Sequence, residues 1–372
     1  MGNCREISVS EKFNFKDFLV KVTEKGASDI HLHVDEKPYV RINGSMVRVN
    51  YPELSENDIL AILEEIAPLM IKKDVLTAYD MDFSYELKGV TRFRINLNRQ
   101  LGKIALVMRV IPYEIPTFED LSIPEQLKDF CDFPNGLCFI TGPTGSGKST
   151  TMASMLELIN QKYKKHIVTI EEPIEFIYTN KKSVFTQRQI GVDTKTFNDG
   201  VKYSLRQDPD VIMIGEVRDC ETMMSALKAA ETGHLVFATL HTNNAVQTVQ
   251  RAISLFDPKD REYIRAQVAS VLRGIVSQKL LPSTDGIKRV PAFEILTITP
   301  TMKDLIEKDK LDEIYELNRQ GAISNLLTLN SQLNELVKNL LVTKEDAMDA
   351  SYNKNELEQM LRGVYHGTRD KS

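Results

Sequence analysis

The chain has 372 residues, which is long for a single hydrophobic core and predicts two domains. Its 47 lysines and arginines against 52 aspartates and glutamates leave a formal net charge of -5, which argues against a protein that binds nucleic acid or an anionic membrane through its overall charge. The four cysteines include no C-x-x-C pair, and no apolar run approaches the ~20 residues of a membrane helix, so we expect a cytoplasmic protein without zinc, disulfides or direct membrane insertion.

The N-terminal part of the chain predicts a mixed α/β domain over residues 13–110, preceded by a loose extension at residues 1–12. Apolar residues at helical spacing predict helices, and alternating or β-branched runs predict strands. The expected helices cover residues 15–25 and about 55–66, and the expected strands cover residues 29–34, 39–42, 92–97 and 103–110. Pro112 and Pro116 lie close together and predict that residues 111–117 form a hinge linker between two domains.

From residue 118 to residue 372 the pattern changes to short apolar strands that alternate with helical stretches. Near-continuous apolar runs are typical of strands buried on both faces of a parallel sheet, so this part predicts a second α/β domain. Its strands are expected at residues 137–141, 166–170, 211–214 and 235–240. From about residue 322 to residue 364 the chain is predicted to be helical throughout, and the docking face of this tail is expected to comprise Leu326, Leu329, Leu333, Leu336, Val337 and Leu340.

A glycine-rich stretch directly follows the strand predicted at residues 137–141 and precedes a helix predicted at residues 149–160. It fits the pattern G-x-x-x-x-G-K-[ST], in which glycines let successive backbone N–H groups face a phosphate at the positive end of a helix dipole. Lys148 is expected to reach the β- and γ-phosphates of ATP, and Ser149 to bind Mg²⁺. The ATP-binding residues predicted on this basis are Gly142, Pro143, Thr144, Gly145, Ser146, Gly147, Lys148, Ser149 and Thr150.

Carboxylates follow two of the predicted strands. Hydrolysis of ATP needs such groups to hold the water shell of the metal and to polarise the attacking water. Glu216 follows an apolar strand, and the carboxyl ends of parallel strands open onto the ligand crevice of an α/β domain. Glu171, Glu172 and Glu175 follow an earlier strand. A cluster of this kind is, by itself, as typical of a solvated loop as of a site.

Two histidines bracket the strand predicted at residues 235–240. His241 lies at its C-terminal end, where it is expected to hydrogen-bond a γ-phosphate or to report its absence to a neighbour. His234 lies at the N-terminal end and, taken alone, is more typical of a structural residue than of a catalytic one. Their occurrence in one α/β pattern with the glycine-rich stretch makes both candidate site residues.

Four segments of the chain together resemble a known family. They are the glycine-rich stretch, IEEPIEF at residues 170–176, LRQDPDVIMIGEVRD at residues 205–219 and TGHLVFATLHTNNA at residues 232–245, which match a Walker A motif, an Asp box, a Walker B motif and a His box. In these motifs the chain is similar to the secretion ATPase superfamily of type II secretion and type IV pili, and most of all to pilus retraction (twitching motility) ATPases. The resemblance begins at ASDIHL, residues 27–32, and extends to the tail. It implies an N-terminal PAS-like domain and a C-terminal RecA-like P-loop ATPase domain.

The resemblance also implies roles for the catalytic candidates. Glu216 would be the Walker B carboxylate. Glu172 and Glu175 would be Asp-box residues, one of which polarises water, and either Glu172 or Glu216 would hold Mg²⁺ through water. His241 and His234 would be His-box residues that couple the nucleotide state to the subunit interface.

In this family, arginines of the N-terminal domain approach the γ-phosphate. The matching segment is RFRINLNRQLGKIALVMRVIP at residues 92–112, and within it we assign this role to Arg94 and Arg109, ahead of Arg218 beside the Walker B motif. The chemistry fits, since an arginine fork stabilises the charge of a transferring phosphoryl group. Without the resemblance, strand arginines of this kind are expected simply to face solvent.

The function implied by the resemblance is that of an ATP-hydrolysing homo-hexamer that powers type IV pilus retraction. Hydrolysis would swing the N-terminal domain about the linker, which converts lost γ-phosphate contacts into rigid-body motion. The expected location is the cytoplasmic face of the inner membrane. The expected partners are an inner-membrane pilus platform protein and other pilus motor ATPases, and no nucleic acid.

Three features depart from the pattern of the family. Glu172 stands where an aspartate is usual, which lengthens the side chain but keeps the carboxylate. Residues 301–306 have the sequence TMKDLI where retraction ATPases carry AIRNLI, so only the Leu-Ile pair is retained. Residues 1–12 are expected to form an additional extension.

Three other functions remain as alternatives. A pilus assembly or type II secretion ATPase would share the core, but such proteins usually carry a longer N-terminal region and a four-cysteine zinc insert, whereas this chain has four cysteines in all. A nucleotide-gated regulator without productive turnover would need the phosphate loop but not the carboxylates. A RecA-like nucleic-acid motor would need a basic channel, against which the acidic balance argues.

Overall fold

The structure, a computed structural model, describes residues 14–42, 44–67, 74, 77–111, 114–286, 288–319 and 325–363. The predicted extension at residues 1–12, Pro112 of the predicted linker and residue 322 at the predicted start of the tail lie outside the described residues. The chain forms two compact units. The first comprises Met1–Glu114 and Glu172–Ile177, and the second comprises Ile115–Glu171 and Tyr178–Ser372.

The first unit is an α/β domain built on an antiparallel sheet. Its strands are β1 (Ala27–His33), β2 (Tyr39–Ile42), β3 (Ser45–Arg48), β4 (Met81–Leu87), β5 (Thr91–Gln100) and β6 (Lys103–Ile111), and their order across the sheet is β3-β2-β1-β6-β5-β4. Alternate residues of β5 are buried, as its alternating sequence predicts. Helices α1 (Phe15–Glu24) and α2 (Glu56–Ile66) bury their apolar faces in the same core. Asn14 caps α1, and Ser55 forms a capping box with Asp58 at the start of α2.

The second unit is built on an eight-stranded mixed sheet. Its strands are β7 (Gly136–Thr141), β8 (His166–Glu171), β9 (Val184–Gln189), β10 (Val211–Ile214), β11 (Leu235–Leu240), β12 (Leu272–Pro282), β13 (Arg289–Thr297) and β14 (Leu326–Leu327), in the order β14-β13-β12-β7-β11-β10-β8-β9. The six strands from β12 to β9 pair in parallel, and β13 and β14 pair antiparallel at one side. Every residue of β7, β10 and β11 is buried, which explains their largely apolar sequences.

Helices cover this sheet and form the tail. They are α3 (Gln126–Cys131), α4 (Lys148–Lys162), α5 (Phe197–Ser204), α6 (Cys220–Glu231), α7 (Ala245–Ser254), α8 (Arg261–Val271), α9 (Pro300–Glu307), α10 (Glu313–Arg319), α11 (Leu329–Lys338), α12 (Lys344–Ala350) and α13 (Lys354–Leu361). Among the described residues, no helix combines the length and the apolarity that crossing a bilayer requires.

The prediction of an uninterrupted helical tail is wrong. Leu326 and Leu327 form the short strand β14 against β13, and three separate helices follow it. Leu329, Leu333 and Leu336 do pack into the core of the tail. Leu340 is 78% exposed because α11 ends at Lys338, and the left-handed φ of 57° at Leu340 turns the chain away from the helical path.

The C-terminal half of the predicted linker is attached to the second unit. The carbonyl oxygen of Pro116 accepts a hydrogen bond from the hydroxyl of Ser154 in α4. Pro116 therefore belongs to the framework that carries the glycine-rich stretch. The hinge itself and the domain limits at residues 110 and 118 stay predictions.

Candidate functional site

The glycine-rich stretch forms a loop between β7 and α4. Gly147 is the N-cap of α4 in left-handed conformation, with φ of 88°, and no side chain caps the helix there. The uncapped backbone N–H groups at the start of a 15-residue helix therefore face the loop. The ammonium group of Lys148 curls back over the loop and donates to the carbonyl oxygens of Gly142 at 2.8 Å and Pro143 at 3.0 Å. This arrangement offers amide donors and one cation to an anion.

Strand β12 fixes the base of the loop. A Cβ atom at Gly142 would lie 2.3 Å from the carbonyl oxygen of Gln278, and a Cβ atom at Gly147 would lie 2.8 Å from its side-chain Nε2. Gln278 also accepts a hydrogen bond from the hydroxyl of Thr151 at 2.8 Å. The hydroxyl of Ser146 is buried and has no hydrogen-bond partner in the described structure. A close-packed cradle with an unsatisfied hydroxyl and uncapped amides fits a bound phosphate group.

A cavity of about 910 Å³ adjoins the loop within the second unit. It is bordered by Gly147 and Thr150 of the loop and helix, by Asp120 and Ser122 near the start of the unit, and by Leu280, Lys288, Arg289, Leu340 and Leu341. The guanidinium of Arg289 donates to the carbonyl oxygen of Gly145 at 3.4 Å, which brings a second cation to the loop. Apolar walls with a few cations are typical of a small-ligand pocket.

Glu216 and His241 meet at the carboxyl edge of the same sheet. Strand β10 leads into Glu216 and its neighbour β11 leads into His241, and the His241 Nε2 atom lies 3.3 Å from the Glu216 Oε1 atom. The guanidinium of Arg218 donates to the other carboxylate oxygen of Glu216 at 2.7 Å. Burial acts to raise the pKa of Glu216, but the hydrogen bond and charge of Arg218 and the proximity of His241 outweigh burial, so the pKa is lowered. Glu216 is therefore ionised at neutral pH.

Glu171 is a candidate that the sequence reasoning did not select. It is the last residue of β8, which lies beside β10, and it is 7% exposed. A Cβ atom at Gly215 would lie 3.3 Å from the Glu171 Cα atom, so the two strand ends approach closely just before Glu216. The Glu171 carboxylate accepts a hydrogen bond from Thr169 at 2.7 Å. Its position as the first carboxylate at the end of a buried strand, the same pattern that identified Glu216, is the signal that could have identified it.

The other Asp-box carboxylates belong to the first unit. The segment Glu172–Ile177 is part of that unit, in which Glu172 is exposed and Glu175 is half-buried. The Glu175 Oε1 atom lies 3.7 Å from the Nη1 atom of Arg94. Their position in the chain predicts both glutamates to lie in the ATPase domain, whereas the structure groups them with the N-terminal arginines.

The structure brings Arg94 and Arg109 together on one face of the first sheet. They are directly opposite each other in β5 and β6. Arg94 also lies 3.6 Å from Asp82, and the Nε atom of Arg109 donates to Asp29 at 3.0 Å. Burial acts to raise the pKa of Asp29, but the hydrogen bonds from Arg109 and Ser28 and the charge of Arg109 outweigh burial, so the pKa is lowered. Carboxylates on the same unit thus hold both guanidinium groups.

His234 is not brought together with the other candidates of the second unit. His234 precedes β11, whereas His241 follows it. The two histidines therefore lie at opposite ends of this strand, roughly 20 Å apart for a strand of this length. The Nδ1 atom of His234 lies 2.9 Å from the carbonyl oxygen of Ala229, at the end of α6. The contacts of His234 are those of a structural residue, and its predicted role in coupling subunits stays a prediction.

Comparisons with known proteins agree with these motifs. The model of the "Type II/IV secretion system protein" family matches residues 6–369. A protein of Pseudomonas aeruginosa described as "Type IV pilus retractation ATPase PilT" is 39% identical over 333 residues, which are 90% of this chain and 96% of that protein. The "Type IV pilus ATPase PilU" of the same organism is 36% identical over 94% of this chain and 91% of its own length.

A solved structure is similar over almost the whole chain. It is described as the pilus retraction motor PilT with bound ADP, and it superposes with a TM-score of 0.87 at 42% sequence identity. The match covers 94% of this chain and 100% of that one. The similarity therefore extends over both units and includes the glycine-rich loop.

Proposed function

Because the chain belongs to the type II/IV secretion system protein family, and because its retraction relatives match it over nearly their full length, we propose that it is the ATP-hydrolysing motor of type IV pilus retraction. The observation that carries this proposal is the assembly, at one edge of one sheet, of a phosphate loop with Glu216, His241 and Glu171. That edge offers a cradle for phosphate and carboxylates for the hydrolytic step.

Each part of the second unit has a role in this reaction. Residues Gly142–Thr150 bind the phosphates of ATP, with Lys148 released from its two loop carbonyls to reach the β- and γ-phosphates. The cavity beside Gly147 and Thr150 takes the nucleoside. Mg²⁺ would be held by the exposed hydroxyl of Ser149 together with Glu216 or Glu172 through water, and it would neutralise phosphate charge.

We assign the water chemistry to the carboxylates at the strand ends. Glu216 is kept ionised by Arg218 and His241, so it can orient water around the metal and the γ-phosphate. Glu171 lies at the end of β8, the strand beside β10, and accepts a hydrogen bond from Thr169 of the same strand. We assign Glu171 the role of polarising the attacking water, in addition to the predicted Asp-box residues Glu172 and Glu175. His241 hydrogen-bonds Glu216 and senses the γ-phosphate.

We assign Arg94 and Arg109 to stabilisation of the γ-phosphate during the ATPase cycle. Both guanidinium groups share one face of the first unit and are held by carboxylates, so they are oriented before ATP binds. In a ring of six subunits these arginines would stabilise the charge on the γ-phosphate. Loss of the γ-phosphate would then release the N-terminal domain. The ring would pass this motion to an inner-membrane platform protein from the cytoplasmic side, with other pilus motor ATPases as further partners.

The biochemical test uses two substitutions, one in the glycine-rich loop and one at the carboxyl end of the neighbouring strands. Lys148→Ala should abolish ATP binding or turnover, and Glu216→Gln should bind ATP and retain it without hydrolysis. The control is Lys164→Ala, which removes an exposed lysine outside the loop. The measurements are steady-state phosphate release and retention of labelled ATP. Near-normal hydrolysis in Lys148→Ala or Glu216→Gln refutes the site assignment.

The cellular test separates retraction from the alternatives. Deletion of the gene in its host should leave surface pili in place but immobile. Bald cells would identify the assembly ATPase instead. This outcome has to be tested because residues 301–306 depart from the retraction pattern. Purified protein that binds ATP but never hydrolyses it would identify the nucleotide-gated regulator.

A further inference from the structure

A buried carboxylate outside the proposed ATP site holds the end of the segment between β11 and α7, which begins with His241. Glu294 lies in β13 and is 4% exposed. Its Oε1 atom accepts hydrogen bonds from the backbone N–H of Ala245 at 2.8 Å and from the hydroxyl of Tyr315 at 2.8 Å. Burial raises the pKa of Glu294, although hydrogen bonds from Ala245 and Tyr315 act in the opposite direction. Ala245 is the first residue of α7, so this carboxylate fixes the start of that helix.

A second tether reaches the same segment from the tail. The hydroxyl of Tyr352, between α12 and α13, donates to the carbonyl oxygen of Asn243 at 3.0 Å. The ammonium group of Lys279 lies 3.7 Å from the centre of the Tyr352 ring and donates to the carbonyl oxygen of Ala350 at 2.6 Å. A cation favours both the face of an aromatic ring and the C-terminal end of a helix, so Lys279 of β12 holds Tyr352 in place.

Residues 241–244 therefore form a short connection with both ends fixed. One end continues from β11 in the middle of the sheet, and the other is held through Glu294. Tyr352 holds the middle of the connection. His241 begins this connection and lies 3.3 Å from Glu216. A shift of about 1 Å in a catalytic group can reduce turnover by about a hundredfold, so the contacts that anchor the connection bear on turnover.

We propose that Glu294, Tyr315 and Tyr352 are positioning residues for His241 and connect it to the C-terminal helices. The inference rests on the proposed ATPase function, since His241 has to act in turnover. Tyr315 lies in α10. The preceding helix, α9, contains residues 301–306, which depart from the retraction pattern. The two tyrosine hydroxyls thus join β13, α10 and the tail to one catalytic histidine. Displacement of the tail by a partner would change turnover without any contact at the phosphate loop.

Tyr352→Phe tests this inference by removing only one hydroxyl. The matched control is Tyr203→Phe on α5, because Tyr203 is 48% exposed and Tyr352 is 46% exposed. In the full-length protein, Tyr352→Phe should lower kcat for ATP by roughly three- to tenfold, the range expected for one hydrogen bond. KM for ATP should be unchanged, and the melting temperature should fall by no more than about 6 °C. Hydrogen exchange should accelerate in peptides that span residues 241–248, and Tyr203→Phe should change none of these values.

A double-mutant cycle separates positioning of His241 from a general structural effect. If Tyr352 acts through His241, Tyr352→Phe should have no further effect on kcat in a His241→Ala background. Where His241→Ala leaves no measurable turnover, the hydrogen-exchange measurement decides. Additive losses in the cycle, or unchanged exchange at residues 241–248 in Tyr352→Phe, overturn the proposal. A wild-type protein without ATPase activity would instead refute the proposed function, and accelerated exchange in Tyr352→Phe would still demonstrate the tether.

Discussion

The glycines of the phosphate loop differ in the space around them, and this difference yields a graded prediction. A Cβ atom at Gly142 would lie 2.3 Å from the backbone carbonyl oxygen of Gln278 and 2.6 Å from the Ser146 hydroxyl. A Cβ atom at Gly145 would meet nothing within 4 Å. Both glycines have positive φ, 146° and 78°, so both alanine substitutions strain the backbone. Only Gly142→Ala also forces β12 and the loop apart.

The magnitude follows from these two terms. The unfavourable φ costs about 1–3 kcal/mol at either position, and overpacking against backbone adds about 1–3 kcal/mol at Gly142 alone. Since about 1 kcal/mol shifts the melting temperature of a 150–250-residue domain by about 2–4 °C, Gly142→Ala should melt roughly 2–12 °C below Gly145→Ala. It should also weaken ATP binding at least about tenfold, because displaced backbone N–H groups no longer reach the phosphates.

The assay combines thermal unfolding with titration of a fluorescent ATP analogue. Gly147→Ala should melt between the other two variants, since its Cβ atom would meet the movable Nε2 atom of Gln278 at 2.8 Å. If Gly145→Ala melts at or below the temperature of Gly142→Ala, the packing of β12 against the loop does not determine the stability of the cradle. The reasoning about Gln278 would then be refuted.

Three further predictions concern the charged residues. Glu171→Gln should lower kcat about a hundredfold or more while ATP still binds, and a kcat within about threefold of wild type would remove Glu171 from the mechanism. Arg94→Ala and Arg109→Ala should each slow turnover without changing thermal unfolding of the second unit, and unchanged kcat in both would contradict their catalytic role. Arg218→Ala removes the cation that lowers the pKa of Glu216, so the acid limb of the kcat profile should move to higher pH, and an unshifted limb would show that Glu216 does not govern it.

Local sequence patterns predicted the elements that depend on local chemistry. The strands β2 and β11 occur with the limits expected from their sequences, and the loop between β7 and α4 forms where the glycine pattern placed it. The sequence patterns did not predict β3, β4, β9, β12 and β13. Strand β9 is rich in polar residues, and β12 follows α8 without a turn signal. The short strand β14 was missed because two residues carry no periodicity, and only pairing with β13 makes them a strand.

The candidate site residues also divide into those that the sequence predicted and those that the structure identified. Glu216 and His241 were predictable because each follows a buried parallel strand, and parallel strands end at a common edge. The separation of His234 from His241 follows from the same rule once the strand limits are known. Glu171 ends a buried strand, which is a signal present in the sequence, but the structure was needed to show that its strand end approaches Gly215 closely and that Glu172 belongs to the other unit.

The sequence by itself determined the phosphate loop, the positions in the chain of the strands that the carboxylates follow, and the family to which the motifs belong, because each depends on residues near one another in the chain. Only the tertiary structure decided that Gln278 closes the base of the loop, that Glu175 pairs with Arg94, and that Glu294 and Tyr352 hold the connection after His241. These contacts join residues tens to more than one hundred positions apart, and such pairings arise from packing of the whole sheet and leave no periodic signal in the sequence.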